Sequence, residues 1–599
     1  LQTPSQLHDA ILTMDKFSNS LPVAIASIGS SKITLLVGSA ITVGADATIP
    51  DNIILWFVGP GKLFVNSGKV LTINSPSQVL AHTQQQVFDG TGTVSFTNGG
   101  IVSPGWWGFS SGGTAAANAD AYNACTASLT ATGGAIVIPP TGAAHQVDDT
   151  LTHPAKPMSV IGAHPELSII ESTATASLKH GLTFTRSHHV RNLTIKTSAS
   201  LASNYDMYGV RMDLDGVTVS GGNQAVKWES VKVRGFNNSF YCDGGDAYNV
   251  DRLYFNDLDA QCSGPASTYI GSCLYINRVT QVYGTHSQFD QNSTGEHAIY
   301  CFGSKNLVFD GFKIRNFDKG TAQAIKVVGN GVAPDDDQAY PTWSIRNMDI
   351  ADGLNGILCG IYGTETLEAL TVENCKFVDV DTSAAILGCV YLSAAGTSNI
   401  RTLRVSGIST RNCLYQGVHV ATGASATMGP VSIRDCKGYN WSTTSAGTYT
   451  WFGTSGTGTF GPITLEGIEA DGNSKGRTIL SSSGQASTIS RIRYSGLKEV
   501  NTTNMGRPIS LPEADATPSL AIGNWFVQPN TGAQNITAYD NLEANQTYYI
   551  RFSTANTTLI DGANLQLAGS TNYNPPANTF MTFYCSDGTA LYEVSRSVN

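Results

Sequence analysis

Between residues 193 and 497 the chain repeats a short pattern of apolar and polar positions. In each copy the first, third and sixth positions are apolar, polar residues stand between them, and the fifth is mostly Asn, Asp or Gly. Residues 253–259 and 307–313 are two of the copies. The third positions recur 25 to 36 residues apart. A recurrence in that range is typical of stacked repeat proteins.

The alternation inside each copy has a period of two, which predicts a strand with one buried face. Asn, Asp and Gly at the fifth position tolerate a left-handed backbone and would bend one strand into the next. Two short strands around each bend, followed by a loop and a third strand, predict an all-β fold: a right-handed parallel β-helix. We expect the sixth positions to stack as an interior ladder made of Leu258, Phe312, Met348, Cys375, Ile408, Cys436 and Leu497.

The rest of the chain divides around this segment. Residues 1–105 hold short alternating strands and predict a β-rich lead-in or cap. Residues 106–504 are assigned to the β-helix, with an Ala-rich stretch at 115–128 that predicts a short helix covering its open end. Residues 505–599 follow a proline-rich linker and predict a separate small β-domain.

Composition excludes several classes of protein. Charged residues are 13% of the chain and the net charge is −10, with no basic run, so nucleic acid and membrane are not expected as partners. No apolar run is long enough to span a membrane. The 11 cysteines are scattered through the repeats and predict buried free thiols, formed in a reducing cytosol. No cysteine pair has metal-ligand spacing, and no metal or cofactor is expected.

The order of features around the Ala-rich stretch carries a family resemblance. A β-rich lead-in, the segment Pro104-Gly-Trp-Trp-Gly108, the Ala-rich helix, Gly133-Gly134, an apolar strand and Pro139 follow one another. This order resembles bacteriophage tailspikes with a pectate-lyase-like β-helix. The family's Gly-Asp-Gly before the helix is replaced here by Ser110-Ser-Gly-Gly-Thr114. Residues 517–596 also resemble a domain that recurs in such spikes.

The resemblance implies a parallel homotrimer that binds and depolymerises a bacterial surface polysaccharide, either O-antigen lipopolysaccharide or capsule, during host adsorption. It implies a protein of the virion tail, assembled in the host cytoplasm and acting at the bacterial surface. Because Leu1 is not a natural start, we expect a preceding segment to attach the spike to the phage tail or baseplate. The C-terminal domain would serve trimerisation or glycan binding.

Aligning the copies places polar side chains in outward columns, and two chemistries suit them. A glycoside hydrolase needs a protonated acid and a second carboxylate, for which the candidates are Asp259, Asp290, Glu296 and Asp310. A polysaccharide lyase needs a base for the C5 proton and a cation that neutralises the sugar carboxylate. The candidate bases are His297, Tyr300 and Lys326, with Arg315 as neutraliser. The basic and phenolic groups favour elimination, and hydrolysis stays the alternative.

Further outward residues could bind the glycan without reacting. Tyr254 and Tyr283 fall in one outward column, where sugar rings could stack on them. Lys313 and Arg346 are candidate substrate-binding cations. Two rival hypotheses from other classes remain: a receptor-binding fibre that does not cleave, and a purely structural spike.

Overall fold

The computed structural model describes residues 10–129, 132–175, 179–198, 207–214, 224–245, 247–262, 271–291, 297–317, 323–329, 339–381, 388–413, 416–441, 451–472, 480–482, 492–495, 498–500, 509–520 and 524–597. The chain forms two compact units. The first comprises residues 1–327 with 348–354, and the second comprises residues 328–347 with 355–599. Strands dominate both units, and every pairing described between strands of the repeat segments is parallel.

The N-terminal strands form a small parallel solenoid of their own, which the sequence pattern predicted only as a lead-in. They stack in three sheets, one for each side of the coil. The first sheet contains Ala10–Thr13, Ile33–Val37, Ile53–Phe57 and Val79–Leu80; the second Ala40–Val43, Lys62–Val65 and Phe88–Gly90; the third Ala47–Ile49, Val70–Ile73 and Thr93–Phe96.

The predicted helix is present at Ala115–Ser128, and a further helix, Leu21–Ile28, was not predicted. Short 3-10 turns occupy Met14–Phe17, Pro76–Gln78 and Pro104–Trp107. Thr114 caps the longer helix by accepting a hydrogen bond from the Ala117 amide. Its Asn118 side chain donates to the Gln146 carbonyl at 2.9 Å. This bond ties the helix to the first coils of the main solenoid.

The main solenoid of the first unit has three faces, named here in chain order. Face 1 contains Gly100–Val102, Gly134–Val137, Met158–Ile161, the first halves of His188–Thr197 and Gln224–Arg234, then Val250–Asn256, Val279–Thr285 and Asn306–Asp310. Face 2 contains Ala144–Val147, Ile169–Ser172, the second halves of the two long strands, Asp259–Gln261, Gln288–Asp290, Lys313–Arg315 and Asp349–Leu354. Face 3 contains Leu151–Thr152, Leu182–Phe184, Tyr208–Asp213, Asn238–Asp243, Leu274–Asn277, His297–Phe302 and Gln323–Val328.

The predicted bends and interior ladder are confirmed. The fifth-position residues adopt a left-handed backbone, with φ of 54° at Asp257, 57° at Asn347 and 74° at Gly311. The sixth-position side chains Leu258, Phe312, Met348, Cys375 and Ile408 are all 2% exposed or less. Leu497 lies outside the described residues. All 11 cysteines are buried and free, as predicted.

One third-position residue departs from the apolar column for a packing reason. Gly284 stands in register with Phe255 on one side and Phe309 on the other. A Cβ at Gly284 would lie 2.1 Å from the Phe255 ring. The ring itself is held by Phe312, whose ring centroid is 5.7 Å away. The missing side chain therefore makes room for a phenylalanine ring inside the solenoid.

We expect Gly284→Ala to destabilise the first unit by about 1–3 kcal/mol, because the added methyl group overpacks a closed core. The unfolding rate in guanidinium chloride should rise accordingly. Gly112→Ala is the matched control, since a Cβ there meets no atom within 4 Å. Equal unfolding rates for the two variants would contradict this account of Gly284.

The repeat part of the second unit has the same three kinds of strand. Its face 1 contains Ala339–Arg346, Thr366–Glu373, Asn399–Ile400, Leu403–Ser406, Thr427–Met428, Val431–Arg434, Thr459–Phe460, Ile463–Glu466 and Ile492–Ser495. Its face 2 contains Lys376–Asp381, Ser409–Arg411, Lys437–Trp441, Glu469–Gly472 and Lys498–Val500. Its face 3 contains Ile357–Ile361, Gly388–Ala394, Gln416–Thr422, Phe452–Gly456 and Leu480–Ser482.

The C-terminal strands form a β-domain with a different topology. They are Ile509–Ser510, Trp525–Gln528, Gln534–Ile536, Gln546–Phe552, Thr557–Leu559, Leu565–Gln566, Thr579–Cys585 and Leu591–Ser597. Antiparallel pairs join three of them, whereas the described pairs of the solenoids are parallel. Phe526, Ile550 and Phe583 belong to its own buried core. Among the described residues no helix is long and apolar enough to cross a membrane.

Candidate functional site

Three tyrosines stack on the outer side of face 3. Tyr241, Tyr275 and Tyr300 occupy the same position on consecutive strands and are direct cross-strand neighbours. Parallel, in-register strands place such side chains above one another at the strand spacing. The first two rings stack with centroids 4.9 Å apart, and the next pair meets edge to face at 5.3 Å. These half-buried rings are called the tyrosine ladder below.

A cation lies at each end of the tyrosine ladder. The Arg211 guanidinium lies 5.8 Å from the centre of the Tyr241 ring. The Lys326 ammonium lies 5.0 Å from the centre of the Tyr300 ring. Both are within the distance at which a cation is attracted to an aromatic face. The ladder therefore combines apolar ring surface with positive charge.

Two carboxyl groups lie beside the ladder, two residues further along their strands. Asp213 and Asp243 are direct cross-strand neighbours. Asp213 accepts a hydrogen bond from the Arg211 guanidinium and forms an ion pair with it. Asp243 accepts from the Asn277 amide at 2.8 Å, from the Tyr241 hydroxyl at 3.2 Å and from the Gly245 amide at 2.8 Å.

The two carboxyl groups have unlike surroundings. Asp243 is 4% exposed, and its burial, assisted by the charge of Asp213, raises its pKa above the usual range although three hydrogen bonds oppose the rise. Asp213 is partly exposed and faces a guanidinium. Burial also raises the pKa of the Tyr241 and Tyr275 hydroxyls, which stay protonated donors. A buried acid beside an ion-paired carboxylate is an arrangement that separates acid and base roles.

The predicted lyase residues are only partly brought together. Tyr300 and Lys326 point outward on face 3, as predicted. The outward placement of His297 is wrong: the residue is 2% exposed. It precedes the buried Ile299 by two residues, so strand alternation turns it to the buried face. Its Nδ1 accepts from the Gln323 amide, and burial lowers its pKa to about 3. Glu296 lies outside the described residues.

Four other predicted residues share a cavity on face 2. Asp259, Asp290, Lys313 and Arg315 line a cavity of about 240 Å³ together with Arg234, Gln261, Gln288 and Phe289. We call it the charged pocket. Arg315 is thus on a different face from Tyr300 and Lys326, so the neutraliser and the bases of the predicted lyase set do not belong to one cluster.

The remaining predicted residues lie elsewhere. Tyr254 and Tyr283 are adjacent on face 1 and are 37% and 43% exposed. Asp310 is half-buried on the same face, in register with Thr285. Arg346 is exposed in the second unit, opposite Glu373. None of these four lines the charged pocket or belongs to the tyrosine ladder.

The sequence interpretation missed Asp213, Asp243, Tyr241 and Tyr275. A signal for them exists in the third strands, where 210–213, 240–243 and 274–277 each read apolar, Arg or Tyr, apolar, Asp or Asn. The repeat alignment reached the third strand only at 296–300 and 323–326 and did not extend to these earlier coils. Among the described residues no cluster of three His, Cys, Asp or Glu side chains could hold a metal ion.

Comparisons with known proteins give only distant likenesses. No protein-family model matches the chain, and no curated protein matches it. Solved structures that align with it include the catalytic unit of a GH87 α-1,3-glucanase from Streptomyces thermodiastaticus (12% identity, TM-score 0.39, 69% of this chain and 65% of that one). The AlgE4 A-module, a mannuronan C-5 epimerase of Azotobacter vinelandii, aligns at 12% identity and TM-score 0.33, over 68% of this chain and 97% of that one.

Full-length tailspike protein 2 from Escherichia coli O157:H7 bacteriophage CAB120 aligns at 11% identity and TM-score 0.31, over 84% of this chain and 63% of that one. The chain thus spans less than two thirds of the glucanase and of the tailspike protein. At these TM-scores the likenesses carry no argument about the activity of this chain.

Proposed function

We propose that this protein binds a polysaccharide along the tyrosine ladder and cleaves it beside Asp213 and Asp243. The observation that carries the proposal is the contact between the two features: the hydroxyl of a ladder tyrosine, Tyr241, donates to the carboxyl group of Asp243. Aromatic rings offer apolar faces on which the C–H faces of sugars stack, and their hydroxyls offer hydrogen bonds. Binding surface and reactive groups therefore form one continuous site.

The acid pair favours hydrolysis of the glycosidic bond. Asp243, with its raised pKa, supplies the proton to the leaving oxygen, and Asp213, ion-paired with Arg211, attacks as nucleophile. Water then releases the sugar from Asp213 and returns the proton to Asp243. The backbones of adjacent strands, such as those that carry Asp213 and Asp243, lie about 4.8 Å apart. This spacing is close to the ~5–5.5 Å between the two carboxyl groups of retaining glycosidases. We therefore expect retention of configuration at the cleaved bond.

Elimination from a uronate is the second candidate, on one specific observation. The Lys326 ammonium over the Tyr300 ring would stabilise a phenolate, which could take the C5 proton of an acidic sugar. The two chemistries differ in their products, because only elimination leaves an unsaturated uronate. His297 takes no part in either mechanism, because its Nδ1 accepts from the Gln323 amide and burial lowers its pKa to about 3, which makes it a poor base.

The biological setting follows from the resemblance in the sequence. We propose a homotrimeric phage tailspike that degrades O-antigen or capsule during adsorption, attached to the tail or baseplate. The chain would be assembled in the host cytoplasm and act at the cell surface. A fibre that binds without cleaving would use the same tyrosine ladder, and persistent binding without new chain ends would favour it.

Tyr275→Ala tests the binding surface. We expect about a tenfold loss of affinity for the cognate polysaccharide, because the central ring of the ladder is removed; tenfold corresponds to about 1.4 kcal/mol. Binding of a panel of Gram-negative surface polysaccharides, followed by surface plasmon resonance in a non-cleaving variant, measures it. Tyr439→Ala, at another exposed tyrosine (38% exposed) in the second unit, is the matched control. Equal affinity for the two variants would remove the ladder from the binding site.

A further inference from the structure

We propose that the charged pocket of face 2 is a separate binding site for one acidic sugar residue, whose carboxylate pairs with Lys313. The proposal rests on the proposed function only in taking the sugar to belong to the same glycan. The pocket extends over the strands Asp259–Gln261, Gln288–Asp290 and Lys313–Arg315, and nothing in the chemistry of the tyrosine ladder uses its residues.

Two arginine side chains with the same hydrogen-bond pattern border the pocket. Arg234 donates to its neighbour's carbonyl (Val233), to the carbonyl of Asp259 and to the Asp259 carboxylate. Arg315 repeats the pattern with Ile314 and with the carbonyl and carboxylate of Asp349. Each guanidinium therefore has a fixed orientation and a neutralising carboxylate. Fixed side chains lose little entropy when a ligand binds, which favours recognition.

Lys313 differs from the two arginines of the pocket, each of which has a carboxylate partner. The lining residues include three cations, Arg234, Lys313 and Arg315, and two carboxylates, Asp259 and Asp290. Within the described part of the chain no carboxylate forms an ion pair with Lys313, which is exposed at the start of its strand. The protein as a whole carries a net charge of −10. In this acidic protein, Lys313 therefore offers a ligand carboxylate a cation that no carboxylate of the described residues occupies.

The other lining groups match sugar hydroxyls. Gln261 and Gln288 offer amide donors and acceptors, and Gln288 is exposed beside Lys313, its cross-strand neighbour. Asp290 offers carboxylate oxygens, one of which also accepts from Asn316 at 3.0 Å. The volume of about 240 Å³ is below the ~300–1,000 Å³ of drug-sized pockets. The pocket therefore suits a single monosaccharide.

The test uses the whole chain with glucuronate and glucose as probes, followed by saturation-transfer NMR titration. Glucuronate should bind more tightly than glucose, and Lys313→Gln should weaken glucuronate binding at least fivefold without changing glucose binding. Lys376→Gln is the matched control, because Lys376 is an exposed lysine at the same position of another coil. Raising the salt concentration should weaken glucuronate binding to the wild type, since ion pairs are screened.

Tyr275→Ala separates this proposal from the proposed function. If that variant loses polysaccharide affinity but binds glucuronate normally, the two sites are independent, as proposed. If Lys313→Gln binds glucuronate as the wild type does, or if the wild type binds glucose equally well, the charged pocket is not an acidic-sugar site. The latter results would leave the tyrosine ladder untouched.

Discussion

Asp243→Asn will reduce polysaccharide cleavage by about 10²–10⁴-fold, the usual contribution of a general acid. The side chain keeps its size and its place beside Tyr241, but it no longer carries the proton that the leaving oxygen requires. Glycan affinity should remain within a few-fold of the wild type, since the tyrosine ladder is unchanged. New reducing ends, counted over time with the cognate polysaccharide, measure the loss.

The same assignment predicts the direction in which the activity of the wild type changes with pH. Burial raises the pKa of Asp243, and the reactive form is the protonated one. Activity should therefore fall as the pH rises through that pKa, and the residual activity of Asp243→Asn should lack this falling limb. Asp251→Asn, at an ion-paired aspartate on face 1, is the matched control and should keep full activity. Full activity in Asp243→Asn would move the site elsewhere.

Acid will destabilise the first unit through a buried stack of rings. His153 stacks on Phe184 at 4.0 Å, and Phe184 stacks on His188 at 3.9 Å. The Nδ1–H of each histidine donates to a backbone carbonyl. The Nε2 of His188 accepts from the Trp228 indole at 2.9 Å, and that of His153 accepts from the Tyr122 hydroxyl at 2.8 Å. Both rings are therefore held neutral.

Protonation of either ring would bury a positive charge. At His188 it would also place a new Nε2–H opposite the Trp228 indole N–H, so that two donors would face each other. Burial lowers the pKa of His153 to about 4 and that of His188 to about 3. Both pKa values lie below the ordinary ~6.5 of an unfolded chain. As the pH falls below ~6.5, the unfolded chain therefore binds more protons than the folded protein, and the free energy of unfolding decreases. At pH 4.5 the loss is about 2–3 kcal/mol for each ring.

A single substitution isolates this effect. The midpoint of thermal unfolding at a fixed scan rate should fall between pH 7 and pH 4.5, and His188→Gln should reduce that fall, although the variant is less stable at pH 7 because the stack is interrupted. His82→Gln, at an exposed histidine, is the control and should fall as the wild type does. An equal fall in all three proteins would show that other groups, such as carboxylates, govern acid unfolding.

Local rules explain what the sequence could predict. A left-handed bend requires Asn, Asp or Gly, and the residue after it must turn inward, so positions such as Asp257 and Leu258 are visible in the sequence. The same alternation, applied to the third strand, would have turned His297 inward once Tyr300 was placed outward. His297 and Tyr300 are three residues apart on one strand, so they lie on opposite faces of the sheet.

The site depended on relations that the sequence does not display. The loops before face 3 differ in length between coils, so the register of Asp213 against Asp243 follows only from the strand pairing. The Arg234–Asp259 pair links consecutive coils 25 residues apart. Face 2 brings Asp259, Asp290, Lys313 and Arg315 together because the bend between face 1 and face 2 is one short turn in each coil. Side chains at matching positions of consecutive coils therefore stay aligned. The sequence predicted part of this grouping.

The most direct test of the account is digestion of the cognate polysaccharide, with products followed by reducing ends and by ultraviolet absorbance of unsaturated uronate. Hydrolysis at Asp213 and Asp243 predicts new reducing ends without absorbance in the wild type, and almost none in Asp243→Asn. Products that absorb would contradict hydrolysis and assign the reaction to elimination at Tyr300 and Lys326.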